Sequence, residues 1–416
     1  MEVLIICISL AVTLGAYVMV SLKDRSLFNI LTPVYLTFIP GYYLLELVHI
    51  YIFGLSGSLF AYFFCYATYA VSFLVMAIAY CRFPSVNLKL PFNVRYNIKW
   101  MPYLFMLASV LVFLPVLIEF SDLILRPRQI YIQTRTGYGH FYFVSNALLF
   151  IGFALILFKK SRFRFEKLVY FVIATGLCWL HGSKGTAITM IYLAMMYWVY
   201  VEGKRAGLRI SIIYAGSFAV ALTAMFYFTS ARTDAERADL FVDMASYSDY
   251  NRHAMMVIDD DPELTWGRLT LETAVWSRVP RVLYPDKPKD WGTFYLAKRF
   301  FPVWFEKESG APSFGILGVP YSDFGYLSII YLAGWGVLIG WLAKLFVMRV
   351  QKYRSPPDFI LLMFLCGIPV IPSGVGYTLP EHIVLALGLA FLLRIRLTRK
   401  RVTPRIAQEE AELTGV

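Results

Sequence analysis

The sequence predicts an all-α fold: a polytopic membrane bundle of about eleven transmembrane helices, with one large exterior loop that carries short helices. Two observations predict this fold. The chain is 59% hydrophobic and only 16% charged, with a mean hydropathy of +0.61, which excludes a water-soluble globular protein because a soluble surface needs more charge. Its Lys and Arg residues are concentrated in every second gap between the apolar runs, a pattern typical of chains that cross a membrane repeatedly.

Eleven apolar runs are long enough to cross a bilayer. They lie near residues 3–21, 29–53, 58–80, 101–120, 140–158, 166–182, 185–201, 209–229, 326–347, 357–374 and 380–395. The first run lacks a positively charged start and a small-residue cleavage site. We therefore predict that it is a retained helix and not a signal peptide.

The distribution of basic residues predicts the topology. The gaps after the odd-numbered runs, together with the C-terminal tail, hold 24 of the 39 Lys and Arg residues. Because cytoplasmic segments are enriched in these residues, the N-terminus is predicted outside and the tail, residues 396–416, in the cytoplasm. The net charge of +12 then serves to orient the chain against anionic lipid, so membrane lipid and not nucleic acid is the predicted partner.

The longest interruption of the apolar pattern is residues 230–325, between the eighth and ninth runs. It holds 15 of the 27 acidic residues and 11 basic ones, the charge sign opposite to that of the whole chain. Short surface helices are predicted near 234–247 and 264–279, whereas 310–325 is too rich in Gly and Pro for a spanning helix. The chain, residues 1–416, is treated as one domain. The cysteines, without a CxxC motif or paired exterior thiols, predict neither a disulfide nor a metal site.

Histidine placement directs attention to the exterior face. All five histidines map to exterior helix ends or to the loop: His49, His140, His181, His253 and His382. Histidine titrates near neutral pH and is a frequent acid or base, although a preference for membrane interfaces also explains such placement. His382, beside Glu381 at the start of the last run, is the best placed to face a cavity.

Exterior cations are the second signal, because such residues are scarce on that side. Lys184 lies in a tight turn between two apolar runs, where its ammonium group either binds an anion or extends to the lipid headgroups. The loop segment from Arg278 to Pro288 includes Arg281 and Lys287, with prolines that stiffen the backbone. It predicts either a fixed array of cations that grips phosphate or a plain turn with solvated charges.

Four motifs give the chain a resemblance to a known family. They are Arg135-Thr136-Gly137-Tyr138-Gly139, the Gly-Ser-Lys-Gly turn at 182–185, Pro280-Arg281 with Tyr284-Pro285-Asp286-Lys287-Pro288, and Pro312-Ser313 followed by Gly318, Tyr321 and Phe324-Gly325. In this order among ten to twelve spans, they resemble the Wzy-type oligosaccharide repeat-unit polymerases, relatives of the O-antigen ligases. The chain departs from the family where Lys184 replaces a usual Arg, and where Val319 and Pro320 stand near a usual acidic residue.

The resemblance implies a GT-C-like, lipid-donor glycosyltransferase in the bacterial inner membrane, with its site at the large periplasmic loop. Its substrates would be glycans linked to undecaprenyl diphosphate; a chain-length regulator is a further expected partner, and no cofactor or metal is expected. The residues predicted to bind diphosphate and substrate are Arg135, Lys184, Arg278 and Arg281, then Arg232, Arg252, His253 and Lys287. The predicted base is His382 or Glu381, with Asp323 as a substitute.

Two other functions remain open from the sequence. An O-antigen ligase uses the same donor and the same cations but transfers the glycan to a lipid core. A flippase or other transporter is the alternative from a different class, although transporters tend to show repeated halves and polar breaks at mid-membrane.

Overall fold

The structure is a computed structural model. It describes residues 1–84, 98–124, 129–131, 138–161, 163–182, 184–212, 216, 248–277, 279, 284–307, 312–367, 384 and 387–392. Within these ranges the regular secondary structure is entirely helical, and six helices are long and apolar enough to cross a membrane. The predicted all-α membrane bundle is therefore confirmed. The count of about eleven spans stays a prediction, because the eighth and eleventh runs lie largely outside the described ranges.

The described helices, numbered in chain order, divide into helices of the bundle and short helices between the eighth and ninth predicted spans. They are α1 (Glu2–Asp24), α2 (Thr32–Phe38), α3 (Leu45–Phe53), α4 (Leu59–Arg82), α5 (Met101–Glu119), α6 (Gly139–Phe158), α7 (Glu166–Leu180), α8 (Lys184–Met196), α9 (Asp249–Asp260), α10 (Arg268–Trp276), α11 (Thr293–Phe300), α12 (Pro302–Lys307), α13 (Gly318–Phe324), α14 (Ser328–Tyr353) and α15 (Pro356–Gly367). A helix predicted within 264–279 is present as α10. The helix predicted at 234–247 lies outside the described residues.

The second predicted span is interrupted in its middle. Helices α2 and α3 are joined by a π-helical turn, Ile39–Leu44, that contains Pro40 and Gly41. Proline has no backbone N–H and cannot make the regular helical hydrogen bond, so the helix widens there without ending. The span as a whole, Thr32–Phe53, is still long enough to cross the membrane.

Helices α4 and α14 pack in parallel through glycines. A Cβ atom added at Gly336 would lie 2.6 Å from the carbonyl oxygen of Ser72, and one at Gly340 would collide with the carbonyl oxygen of Met76. Small residues four apart allow this close backbone approach, the usual solution where lipid removes the hydrophobic drive for association. At the end of α4 the Lys344 ammonium donates to the carbonyl of Phe83, where a helix C-terminus attracts positive charge.

Polar contacts between distant parts of the chain show which segments share an end of the bundle. The Asp24 carboxylate accepts hydrogen bonds from the hydroxyls of Tyr80 at 2.8 Å and Tyr200 at 2.5 Å, which joins three segments predicted to face the same side. We call this the basic end. At the opposite end, Ser58 contacts Asp259 of α9, and we call this the loop end. The predicted alternation of the first loops between two ends agrees with these contacts, while the assignment of either end to the cytoplasm stays a prediction.

Candidate functional site

Helix α9 lies at the loop end and is amphipathic. Its buried face carries Asn251, Ala254, Met255, Val257 and Ile258, and this face packs against α4 and α13. The next residues after Asn251 are Arg252 and His253, two of the predicted site residues. The docking of α9 therefore determines where these two side chains lie.

Asn251 is fully buried and joins α9 to the bundle through all of its amide group. Its Nδ2 donates to the carbonyl of Tyr42 at 2.7 Å and to the hydroxyl of Tyr66 at 3.0 Å, while its Oδ1 accepts from the hydroxyl of Tyr69 at 3.1 Å. A buried amide is stable only when its hydrogen bonds are satisfied, so this set of partners fixes the position of α9 closely.

Glu46 of α3 is a fully buried carboxyl group within a candidate span. Its Oε1 accepts from the hydroxyl of Tyr62 at 2.9 Å, its Oε2 lies 3.5 Å from Asn251 Nδ2, and it interacts electrostatically with Arg252. An acidic group in this position is costly unless it has partners, so its presence marks a functional or strongly structural position. Glu46 and Asn251 were not among the predicted site residues. The carboxyl group inside an apolar run was the only signal in the sequence.

A second contact fastens the far end of α9. Asp259 Oδ2 accepts from the backbone N–H of Ser58 at 2.9 Å, and Oδ1 accepts from the Ser58 hydroxyl at 2.5 Å. Ser58 is also the N-cap of α4, because its Oγ accepts from the backbone N–H of Ala61. The Asp259 carboxylate is thus held where the dipole of α4 attracts negative charge.

Arg252 and His253 lie on the accessible side of α9. Arg252 is partly exposed, and its guanidinium pairs with Asp249 at 2.8 Å. His253 Nδ1 lies 2.9 Å from the carbonyl oxygen of Ser313, beside the rings of Phe301 and Phe314. Because a carbonyl oxygen only accepts, Nδ1 carries the proton and Nε2 presents a lone pair when the ring is neutral. Burial lowers the pKa of His253, which favours the neutral ring.

Asp323 forms the cap of another helix. Its carboxylate accepts hydrogen bonds from the backbone N–H groups of Leu269 at 3.0 Å and Thr270 at 2.8 Å, and from the hydroxyls of Thr265 and Thr270. These groups lie at the first turn of α10, where backbone N–H groups lack helical partners. The side chain is fully buried, so the observed contacts favour a structural role over the predicted substitute base.

Lys287 also makes internal contacts. Its ammonium donates to the carbonyl oxygens of Trp276 at 2.5 Å and Val279 at 3.1 Å, and lies 4.9 Å from the centre of the Trp291 ring. These contacts follow the C-terminus of α10, a position that attracts cations. The predicted use of Lys287 in diphosphate binding would have to compete with them.

His181 lies in the turn that precedes Lys184. Its Nε2 is 2.8 Å from the hydroxyl of Ser145, and the Ser109 hydroxyl donates to the Ser145 carbonyl at 2.8 Å. This buried chain of polar groups links α5, α6 and the end of α7. It fixes His181 at the end of α7, three residues before α8 begins at Lys184.

The remaining predicted residues lie outside the described part of the chain, so their roles stay predictions. They are Arg135, Arg232, Arg278, Arg281, Glu381, His382 and the side chain of Lys184. Among the described residues, no group of three or more His, Cys, Asp or Glu side chains is arranged to hold a metal ion.

Two curated proteins are similar to the chain over most of its length. It is 34% identical over 368 residues to the O-antigen polymerase of Salmonella typhimurium and, to the same extent, to that of Salmonella typhi. In both comparisons the match covers 87% of this chain and 88% of the relative. The chain belongs to the O-antigen polymerase family. No protein-family model and no solved structure matches it.

Membership in the O-antigen polymerase family confirms the resemblance predicted from the four motifs. Because the match covers so much of the chain, it extends over bundle helices and over at least part of the loop-end segment. O-antigen polymerases are thus related to this chain through the scaffold and through the region that holds Arg252 and His253.

Proposed function

We propose that the chain is a glycosyltransferase that polymerises O-antigen repeat units at the periplasmic face of the bacterial inner membrane. The donor is a growing glycan on undecaprenyl diphosphate, and the acceptor is one repeat unit on the same carrier. The observation that carries this proposal is the match to two O-antigen polymerases over 88% of their length.

The proposed reaction breaks the bond between the anomeric carbon of the donor glycan and the diphosphate oxygen. The electron pair stays on that oxygen, the acceptor hydroxyl oxygen bonds to the anomeric carbon, and the acceptor proton passes to a base. Cations stabilise the charge that develops on the departing lipid diphosphate. A positioned base typically raises the rate by about 10²–10⁴.

The loop end supports this chemistry with two described side chains. Arg252 is a partly exposed guanidinium that can bind phosphate oxygens, and its pair with Asp249 is a solvent-accessible one that costs little to exchange. His253 has Nε2 available as a proton acceptor once Nδ1 donates to Ser313. We assign Arg252 to the leaving diphosphate and His253 to substrate contact, together with the predicted Arg135, Lys184, Arg278 and Arg281 at the diphosphate.

The base remains with His382 or Glu381 in this proposal. Arg232 is a further cation of the loop, and a separate chain-length regulator is the proposed partner that sets the modal polymer length. The N-terminus is proposed to lie in the periplasm and the C-terminal tail in the cytoplasm.

A polymerase deletion strain tests the proposed function. Expression of this chain is expected to restore the ladder of long O-antigen, whereas the empty strain shows lipid A-core capped with one repeat. Purified chain incubated with lipid-linked repeat units is expected to yield lipid-linked dimers. Absence of dimers, with glycan instead transferred to added lipid A-core, would identify a ligase and overturn the proposal.

A further inference from the structure

An aromatic pair stands at the C-terminal end of α10. The rings of Trp276 and Tyr284 are stacked, with centroids 5.6 Å apart and planes inclined by 26°. Tyr284 is still 46% exposed. The contact with Trp276 therefore leaves nearly half of Tyr284 accessible to a ligand.

Lys287 holds this pair in place. Its ammonium binds the carbonyl oxygens of Trp276 and Val279, which fastens Lys287 to the C-terminal end of α10. The same ammonium lies over the ring of Trp291. The Lys287 ammonium therefore links the main chain at Trp276 to the ring of Trp291, so these aromatic residues are held by contacts internal to the chain.

Helix α10 also fixes the Trp291 side of the arrangement. The backbone N–H of Gly292 lies 3.3 Å from the Glu272 carboxylate, and Gly292 has a φ of +54°. A Cβ atom there would lie 3.3 Å from the carbonyl oxygen of Leu269 and would overlap the side chain of Thr273. The close approach requires glycine, and it leaves little freedom to the adjacent Trp291.

The surroundings of the aromatic pair are polar. Asp286 and Lys289 are exposed, and Asp290 pairs with Lys298 at 2.8 Å. Helix α5 differs, since it exposes Leu107 and Leu111 within a stretch, residues 101–118, that contains no charged residue. An aromatic face bordered by charged hydrogen-bonding groups is suited to a ligand that has both apolar C–H faces and many hydroxyls.

We propose that Tyr284, supported by Trp276, Lys287 and Trp291, is a binding platform for pyranose rings of the saccharide substrate. The C–H face of a pyranose packs on the ring face of Tyr284, while Asp286 and Lys289 hydrogen-bond to its hydroxyls. This inference rests on the proposed function, because it places the glycan beside the loop-end helices that carry the transfer site. Both a donor glycan and an acceptor repeat unit present this chemistry.

Saccharide binding without catalysis tests the platform. Purified full-length chain in lipid nanodiscs is titrated calorimetrically with lipid-free O-antigen oligosaccharides one or two repeat units long. Mild acid releases these oligosaccharides from the lipid-linked repeat units of the strain that makes this chain. Tyr284→Phe keeps the ring face and is expected to bind as the wild type does. Tyr284→Ala is expected to weaken binding by about twofold to tenfold, the effect typical of one aromatic contact.

Trp266→Ala is the matched control, because Trp266 is 72% exposed in the same loop-end region but does not belong to the platform. Unchanged saccharide affinity in Tyr284→Ala, or an equal loss in Trp266→Ala, overturns the inference. If only the two-unit saccharide loses affinity, the platform holds the growing glycan; if the single unit does so equally, it holds the acceptor.

The two proposals fail in different ways. If the chain binds the oligosaccharide through Tyr284 but does not restore the O-antigen ladder, the platform proposal stands and the polymerase proposal fails. If the chain restores the ladder but wild type and Tyr284→Ala bind the saccharide with the same affinity, the polymerase proposal stands and the platform proposal fails.

Discussion

At the scale of single residues, the stability of the chain is expected to fall less when Glu46 loses its charge than when it loses its side-chain oxygens. In Glu46→Gln the side-chain carbonyl still accepts from Tyr62, whereas Glu46→Ala leaves that buried hydroxyl without this acceptor. We expect Glu46→Ala to cost about 1–3 kcal/mol of stability, and Glu46→Gln less. Thermal unfolding in detergent, followed by tryptophan fluorescence, measures the difference.

Glu119 provides the control for Glu46. It is an exposed glutamate at the end of α5, predicted to lie on the same side of the membrane. Glu119→Ala is expected to leave the unfolding temperature nearly unchanged. Equal shifts in the two alanine variants would show that the buried contacts of Glu46 contribute nothing.

His253 is expected to make stability depend on pH. Burial lowers its pKa in the folded chain below the usual value of about 6.5. A lowered pKa favours the neutral ring, so its contribution is present above pH ~6.5 and is lost as the pH falls through the folded value. His253→Asn, whose amide can still donate to Ser313, is expected to lose less stability than the wild type between pH 7 and pH 5. Parallel losses in the two proteins would contradict this.

At the scale of helices, the packing of α14 on α4 is expected to depend on which glycine is changed. Gly340 contacts the backbone of Met76, whereas a Cβ atom at Gly334 of the same helix meets nothing within 4 Å. We expect Gly340→Val to cost about 1–3 kcal/mol through overpacking, or to prevent stable folding. Gly334→Val is expected to be tolerated. Expression and size-exclusion profiles in detergent compare the pair.

The placement of α9 shows where reasoning from the sequence stops. The basic gaps predicted that residues 24, 80 and 200 share a side, and their hydrogen bonds agree, because that prediction needs only the order of loops. The contact of Asn251 with Tyr42 depends on how a loop helix is aligned with a span that lies far away in the chain. The same reason hid the capping of α10 by Asp323, which the resemblance to the family offered as a substitute base and whose role as a base stays a prediction.

At the scale of the whole molecule, the loop end is expected to face the periplasm. In a cysteine-free background, Glu263→Cys is exposed at the loop end and Lys204→Cys at the basic end. A membrane-impermeant thiol reagent added to spheroplasts is expected to label the first and to reach the second only after permeabilisation. The reverse labelling pattern would show that the loop end faces the cytoplasm, and it would contradict a transfer site in the periplasm.

The parallel contact between α4 and α14 has a consequence for biosynthesis. Helix α14 begins roughly 250 residues after α4 ends, and ribosomes add about 5–20 residues per second. The carbonyls of Ser72 and Met76 therefore await their glycine partners for roughly 12–50 s after α4 has entered the bilayer. During that interval lipid or the insertion machinery must cover this face of α4. The packing of α4 is therefore incomplete until α14, in the last third of the chain, has been made.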